Sequence, residues 1–529
     1  MGIKDYVKFV KKEYSRACKK KWLNRYQNLY IDLNHALHHV GYKSQSPKDI
    51  LSKIKSYLSM IILENRPTHK VYIAADGPAP IAKMVLQRRR RYDKVKTLGS
   101  DETLNLTKNL SLNFTPGTEF MLNLADELKH FSSYLSIVLG IEVELDIETN
   151  DEGEVKIRRK IEEDQQSDPS LTAIVYSGDA DMILLLFSLK RLSGIYQIVD
   201  KNTIISFDQL LDIHTKKFDK KTTYSIVNDG DIQQIKRKQA SITNDFIFIN
   251  LFFGNDYLPK VLLIKFINIW KSYSSLIPYY PNGLVAYDRK LRSITIDKEF
   301  MTGLILKTTS MNRLNLMNKF NLDEMVSSDF DVYSDYMNGI AWCFDMYASG
   351  VCADYRYIYD HSKSPHYDGI ILQILTQNTY VVPQTKPIDS DLYGILLIPE
   401  KANTLLLERQ KKLAEKLVSV HPIIYEEERC QECSSFSKNL SNYNKQASVL
   451  RSDSTTESDL VDLDIMNEDD ISEDSQDLAD PEKRHALKED VLAKIRESNM
   501  EYAKHKTIHG VLNLNEIEKI ETTFANLKL

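Results

Sequence analysis

Cysteine is scarce in this 529-residue chain: Cys18, Cys343, Cys352, Cys430 and Cys433 are scattered along it. They are too few for a disulfide framework, which points to a reducing compartment. Proline and glycine are sparse too, at 15 and 18, which excludes collagen and low-complexity polymers as the bulk of the chain. No apolar run approaches the roughly 18 residues of a membrane helix, and the best candidates, 182–187 and 247–253, are strand-length. Lys4, Asp5 and Lys8 stand where a signal peptide would have its apolar core, and Tyr6 stands where a myristoylation signal wants Ser or Thr. Also missing are Gly-x-x-x-x-Gly-Lys, His-Glu-x-x-His and Gly-x-Ser-x-Gly, so ATP hydrolysis, zinc proteolysis and α/β-hydrolase chemistry lack their usual signatures. The expectation is a soluble, cytoplasmic, monomeric protein without a membrane anchor.

What is present is ample apolar material, 42% of residues, enough for a large core in two to four domains. Residues 451–482 hold thirteen Asp or Glu against one Arg, a local charge of −12, so the rest of the chain carries +7 against a total of −5. A modestly basic body with an acidic tail suits an anionic partner without requiring one.

The first 275 residues read as α/β. Short apolar runs at 29–33, 71–75, 173–176 and 246–253 alternate with helical patterns at 80–92, 119–139 and 157–163. That is the signature of a mostly parallel sheet flanked by helices. Residues 276–425 read as a second, mixed α/β region, with a turn at Pro281-Asn282-Gly283 and helical patterns near 304–320 and 332–347. Residues 426–482 are rich in Ser, Asp and Glu and predict a disordered acidic linker. Residues 483–529 form a tail in which Leu487, Val491 and Ile495 restore helical periodicity over 483–506. The tail helix either docks or, with the linker, binds a protein partner.

Acids close several of the runs where a parallel strand would reach its C-terminal edge. Asp32 follows Ile31, Asp76 follows Ala75, Asp179 and Asp181 follow 173–176, and Asp256 follows 246–253 through Gly254-Asn255. Glu152 and Glu154 stand two apart just before a helix. Ligands of open α/β sheets sit beyond the strand C-termini. Seven carboxylates sharing that crevice would repel one another unless divalent cations neutralised them, and all-oxygen ligation suits Mg²⁺ or Mn²⁺. Each acid alone could instead be a helix cap or turn former, and Asp179-Ala180-Asp181 could be the metal motif of a nucleotide-sugar transferase. Caps would not need so many.

Behind Asp76, Gly77-Pro78-Ala79-Pro80 leads into a helix with Pro80 at its first position. At about 100° per residue, Lys83, Gln87, Arg90, Arg91 and Lys94 share one face and Ile81, Met84 and Val85 the other. A basic stripe beside a metal-site acid suits a terminal phosphate, although the same stripe could be a solvated face. Cys430-Gln431-Glu432-Cys433 has no second pair nearby, so two free thiols are favoured over a zinc site. His38 is either a core histidine or a ring facing the crevice.

Taken together these blocks resemble the Xrn family of 5′→3′ exoribonucleases, related to flap endonucleases. They are Met1-Gly2-Ile3, Asn28-Leu29-Tyr30-Ile31-Asp32-Leu33-Asn34, Asp76-Gly77-Pro78-Ala79-Pro80-Ile81-Ala82-Lys83-Met84, Thr115-Pro116-Gly117-Thr118-Glu119-Phe120-Met121, Glu152-Gly153-Glu154-Val155-Lys156-Ile157, Asp179-Ala180-Asp181 and Gly254-Asn255-Asp256-Tyr257-Leu258-Pro259. They occur in the family's order over roughly residues 1–260, and residues 342–359 and 387–407 resemble its second conserved region more weakly. The resemblance implies a PIN- or flap-endonuclease-like fold. It implies two Mg²⁺ or Mn²⁺ ions held by Asp32, Asp76, Glu152, Glu154, Asp179, Asp181 and Asp256, which are also the catalytic acids. A 5′-phosphate pocket would be formed by Lys83, Gln87, Arg90 and Arg91, with His38 stacking on the first base. The family's tryptophan-rich run reads Ala353-Asp354-Tyr355-Arg356-Tyr357 here, leaving Tyr355 or Tyr357 as a second stacking wall. The implied activity is hydrolysis of single-stranded RNA from a 5′ monophosphate, in mRNA decay, by a compact member of cellular or viral origin. A DNA flap nuclease and a non-catalytic RNA-binding scaffold are the alternatives.

Overall fold

The computed structural model describes residue 3 and residues 6–20, 26–96, 110–218, 229–262, 264–310, 330–361, 364–430, 435–436, 439, 442–443, 489–495, 497–498 and 512–528. Packing divides the chain into two units, Met1–Leu86 with Asn113–Tyr393, and Gln87–Leu112 with Gly394–Leu529. These boundaries differ from those at 275 and 425 that composition suggested.

The first unit is built on a seven-stranded sheet in the order β1-β7-β6-β5-β2-β3-β4. Its strands are β1 Cys18–Lys20, β2 Asn28–Asp32, β3 Lys70–Ala74, β4 Glu142–Asp146, β5 Ala173–Tyr176, β6 Ile195–Asp200 and β7 Thr203–Ser206. β6, β5, β2, β3 and β4 are parallel, and at one edge β7 pairs antiparallel with both β6 and β1. All five residues of central β2 are buried, as expected of a strand covered on both faces, where continuous apolar runs replace alternation. The chain steps from β2 outward to β3 and β4, then returns on the other side of β2 as β5 and β6. The strand order therefore reverses between β2 and β5, and the crevice beyond their C-terminal ends is the topological switch point.

Helix ends follow the local chemistry of the sequence. Asp32 caps Leu33–Gly41, accepting from His35 N, and Ser46 caps Pro47–Asn65. Thr118 accepts from Met121 N to start Glu119–Leu139, and Gly140 at φ +65° ends it. A second sheet, β10-β9-β8, is antiparallel, formed by β8 Val285–Asp288, β9 Ser293–Ile296 and β10 Thr379–Val381. Gly283, in the expected turn, has φ +77°.

Several expectations need correction. Residues 246–253 are not a strand. They end the Asp229–Leu251 helix, and 182–187 lie in the Asp181–Phe187 helix. Both runs are buried on all sides, so they carry no polar stripe from which a helical period could be read. Pro80 is not the first helical residue; it precedes Ile81–Lys96, and its carbonyl accepts from Met84 N at 2.9 Å. The 304–320 pattern is helical over Lys298–Thr308, and residues 311–329 lie outside the described residues.

In the second unit, Arg88 is buried, and its guanidinium donates to the carbonyls of Leu396 and Ile424. The helix Leu514–Lys528 packs against Glu408–Val420 through buried Ile517, Ile520 and Phe524, so this tail helix is docked. Val491 and Ile495 are buried as well, whereas Leu487 lies outside the described residues. The acidic linker begins inside the Ile423–Arg429 helix. Most of 431–488, including Cys433, lies outside the described residues. No helix among the described residues is long and apolar enough to cross a membrane.

Candidate active site

The acids meet at the switch point. Asp32 is the last residue of β2, Asp76 lies two residues beyond β3, and Asp179 and Asp181 follow β5. Glu152 is the N-cap of Gly153–Ser167, with Glu154 in its first turn. Asp256 comes from the turn after the Asp229–Leu251 helix rather than from a strand end. Gly254, at φ +78°, opens that turn, and a Cβ there would lie 2.8 Å from Lys260 N. The Asn255 side chain closes it, accepting from Tyr257 N at 2.9 Å and Leu258 N at 3.0 Å.

Neighbouring donors orient the carboxylates. Asp32 accepts from His35 N and from Ser177 Oγ, both at 3.0 Å. Asp76 accepts from Asn34 Nδ2 at 3.0 Å and Gly153 N at 2.9 Å, while its own N–H donates to Asn34 Oδ1 at 3.0 Å. Asp181 accepts from Ile3 N at 3.1 Å, and Asp179 from Asp181 N at 3.1 Å. Lys83 Nζ stands between Glu152, at 2.6 Å, and Asp256, at 2.8 Å. Glu152 also accepts from the hydroxyl of Tyr257, whose ring lies under the Lys83 ammonium and packs edge-on against Trp342.

Burial and neighbouring charge shift the protonation of several of these acids. Burial first, and then the charges of Asp76 and Asp179, push Asp32 up to about 7. Burial with Asp179 and Asp256 pushes Asp181 up to about 8. Glu154 is raised well above the carboxylate range by burial and by Asp32, Asp76, Asp179 and Glu152. Glu152 is raised by burial, against the pull of Lys83. Burial opposes the charge on Lys83, but Glu152, Asp256 and Glu154 together hold it well above the ordinary lysine value.

Seven carboxylates, Asp32 and Glu152 buried and the other five half-buried, offer only oxygen donors, the chemistry that suits hard divalent cations. As the side chains stand, no three His, Cys, Asp or Glu residues among the described residues converge as a ligand sphere. Oxygens of Asp32, Asp76, Glu152, Asp179, Asp181 and Asp256 engage the donors named above.

In the Ile81–Lys96 helix burial does not separate the two expected faces: Lys83 is buried, as Met84 is, and Val85 is half-buried. Ile81 and Met84 are buried, Gln87 is buried, and Arg90, Arg91 and Lys94 are half-buried. Arg89 is exposed. Burial and then the charges of Arg91 and Arg90 lower the Lys94 pKa, as expected where cations crowd together. His38 is exposed, with its ring edge-on to Phe114 at 5.3 Å. Tyr355, expected as a stacking wall, is buried, and its hydroxyl donates to Asp151. Tyr357 is half-buried against Trp342, with its hydroxyl donating to Asp335 O at 3.0 Å.

Sequence reasoning assigned no role to Asn34, Ser177, Tyr257 or Lys156. Lys156 is fully buried and donates to Ala75 O at 2.8 Å and to Asp146 at 3.2 Å. A lysine three residues into a helix reads as surface, and only its surroundings make it the brace behind Asp76.

Comparison with known proteins gives the following relatives. Residues 1–194 match the family described as "XRN 5′-3′ exonuclease N-terminus". The chain is 30% identical over 305 residues to 5′-3′ exoribonuclease 1 of Homo sapiens, an alignment covering 49% of this chain and 17% of the relative. It is 25% identical over 296 residues to 5′-3′ exoribonuclease 1 of Saccharomyces cerevisiae, covering 49% and 19%. It is 26% identical over 294 residues to 5′-3′ exoribonuclease 2 of Schizosaccharomyces pombe, covering 44% and 29%. The chain thus spans less than a third of each of these relatives. Among solved structures, the catalytic core of Rad2 with a DNA substrate aligns at 14% identity and a TM-score of 0.34, over 75% of this chain and 100% of that one. Residues 1–194 thus match the Xrn N-terminal family, and the chain is similar in sequence to 5′-3′ exoribonucleases 1 and 2.

Proposed function

We propose that this chain is a divalent-metal-dependent 5′→3′ exoribonuclease that removes nucleotides one at a time from single-stranded RNA bearing a 5′ monophosphate, in cytoplasmic RNA decay. One observation carries the reading: seven acids from five segments lie at the switch point of a parallel sheet, tied together by Ser177 on Asp32, the Gly153 N–H on Asp76, Ile3 on Asp181 and Lys83 between Glu152 and Asp256. The names of the homologues support it.

In this reading Asp32, Asp76, Glu152, Glu154, Asp179, Asp181 and Asp256 hold two Mg²⁺ or Mn²⁺ ions. Bound there, such ions supply Lewis acidity that activates water and offsets the charge developing on the phosphate and the departing 3′ oxygen. Asn34, Ser177 and the Gly153 N–H fix the directions of the Asp76 and Asp32 oxygens. Lys83 offsets part of the cluster's charge and supplies an ammonium for a phosphate oxygen. Gln87, Arg90 and Arg91, which share its helical face, grip a terminal phosphate, a reading supported by helix register and by the crowding of Arg90, Arg91 and Lys94. His38 is the ring that stacks on a base without reading it. Tyr355 is buried and Tyr357 packs against Trp342, so exposed His38 is the ring to which we assign stacking.

The test is degradation of single-stranded RNA carrying a 5′ monophosphate, hydroxyl or triphosphate, with a branched DNA alongside, in Mg²⁺ and in EDTA. Mg²⁺-dependent loss of the 5′-monophosphate RNA with release of mononucleotides is expected. Preference for the branched DNA, or equal turnover in EDTA, would overturn the reading.

A further inference from the structure

Asp151, immediately before Glu152, holds a backbone that favours glycine: its φ is +84°, yet it is an aspartate and is buried. A non-glycine residue persists there only when its surroundings over-determine it. Here four groups do so. Its carbonyl accepts from Gly77 N at 2.9 Å and its N–H donates to Pro78 O at 3.1 Å. One carboxylate oxygen pairs with Arg159 at 2.8 Å, and the other accepts from the Tyr355 hydroxyl. The turn so formed presents Glu152 to Lys83 and the Gly153 N–H to Asp76 at 2.9 Å.

Tyr355 is itself fixed at its backbone. Its N–H donates to Thr385 Oγ1 at 2.8 Å, and Trp342 Nε1 donates to the carbonyl of preceding Asp354 at 2.8 Å. The Tyr355 carbonyl accepts from Ile81 N at 2.9 Å, satisfying the first free N–H of the helix that carries Lys83. One tyrosine therefore holds the turn bearing Glu152 through its hydroxyl and the helix bearing Lys83 through its carbonyl.

We propose that Asp151 and Tyr355 are positioning residues. Tyr355, assisted by Arg159, clamps the Asp151 carboxylate and so sets the Glu152–Gly153 turn against Asp76. The role is independent of base contact. Its consequence for cation affinity rests on the function proposed above, whereas its consequence for the turn does not.

The experiment uses the full chain with Tyr355→Phe, which removes only the hydroxyl. It also uses Asp151→Gly, which accepts the positive φ but loses the carboxylate, and Asp151→Asn, which keeps an acceptor for the phenol. Hydrogen exchange at the Gly77 and Gly153 amides is expected to quicken about tenfold in Tyr355→Phe and Asp151→Gly. Exchange in β2 and β5 and the melting temperature should stay at wild-type values. Mn²⁺ binding by calorimetry is expected to weaken by roughly tenfold or more, as when an outer partner of a ligand is removed, and Asp151→Asn should recover part of it. Unchanged exchange at Gly77 and Gly153 in both variants would overturn the clamp, whatever Mn²⁺ does. A wild-type chain that takes up no Mn²⁺ would refute the cation reading while exchange still decides the clamp. If Tyr355→Phe does not fold, Asp151→Gly alone decides it.

Discussion

Lys83→Met replaces a buried ammonium with an apolar chain of similar length and leaves Glu152 and Asp256 facing each other without a counter-charge. Side-chain exposure is 9% for Lys83 and 8% for each acid, so solvent screens the loss little. Removing one partner of such a buried pair costs about 3–5 kcal/mol. At about 2 °C per kcal/mol for a unit this large, the first unit should melt roughly 6–10 °C lower in EDTA at pH 8.5. The pH dependence has a definite sign. Asp32 and Asp181 are raised in the folded chain, to about 7 and about 8, by burial and by other carboxylates. Their contribution is fully present below about pH 4 and is lost as pH rises through those values. The metal-free protein should therefore melt lower at pH 8.5 than at pH 6, with the gap wider in Lys83→Met. Mg²⁺ should close the gap, because a bound cation stabilises only the folded state. Scanning calorimetry of both proteins at both pH values, in EDTA and in Mg²⁺, provides the measurement. A variant as stable as wild type in EDTA at pH 8.5, with no response to Mg²⁺, would refute the reasoning.

Arg90→Ala with Arg91→Ala removes two charge-assisted donors, together about 3–6 kcal/mol, and should lower turnover of 5′-monophosphate RNA far more than that of 5′-hydroxyl RNA. Equal losses in a two-substrate assay would end the phosphate reading. Gly77→Ala would place a Cβ 1.9 Å from Thr149 O and push back the turn that carries Glu152. A displacement on the order of 1 Å implies about a hundredfold loss of single-turnover rate, and an unchanged rate would contradict it. Arg88→Met takes the guanidinium from the buried Leu396 carbonyl and leaves Ile424 O with the Tyr92 hydroxyl alone, and should destabilise the second unit by about 1–3 kcal/mol. Arg89→Ala, at an exposed position, should change the melt by less than about 0.5 kcal/mol.

The parts of the fold legible in the sequence are those where one local signal suffices. Leu29-Tyr30-Ile31 ending in Asp32 reads as a buried strand with an acid at its tip, and Thr118 with Gly140 brackets a helix. The run 246–253 was misread because Phe246, Phe248, Ile249, Leu251 and Phe252 are all buried. A helix wetted on no side has no amphipathic stripe, and length alone does not separate it from a strand. The hydrogen bond that Tyr355 makes was not legible for a related reason. An aromatic ring beside a catalytic region reads equally well as a stacking surface or as a hydrogen-bonded clamp, and the phenol's partner, Asp151, lies far away along the chain.

The sequence by itself determined the chemical inventory: the seven carboxylates, the basic helical face and the strands that end in acids. Composition, register and capping are local properties, readable within a few residues. Tertiary structure decided which groups meet. It placed Lys83 between Glu152 and Asp256, turned Asn34 and Gly153 onto Asp76, and separated buried Arg88 from exposed Arg89 within one arginine run. Each of these partnerships depends on burial and on distances between segments far apart in the chain, and the energy of a buried charge is set by those neighbours rather than by its own residue type.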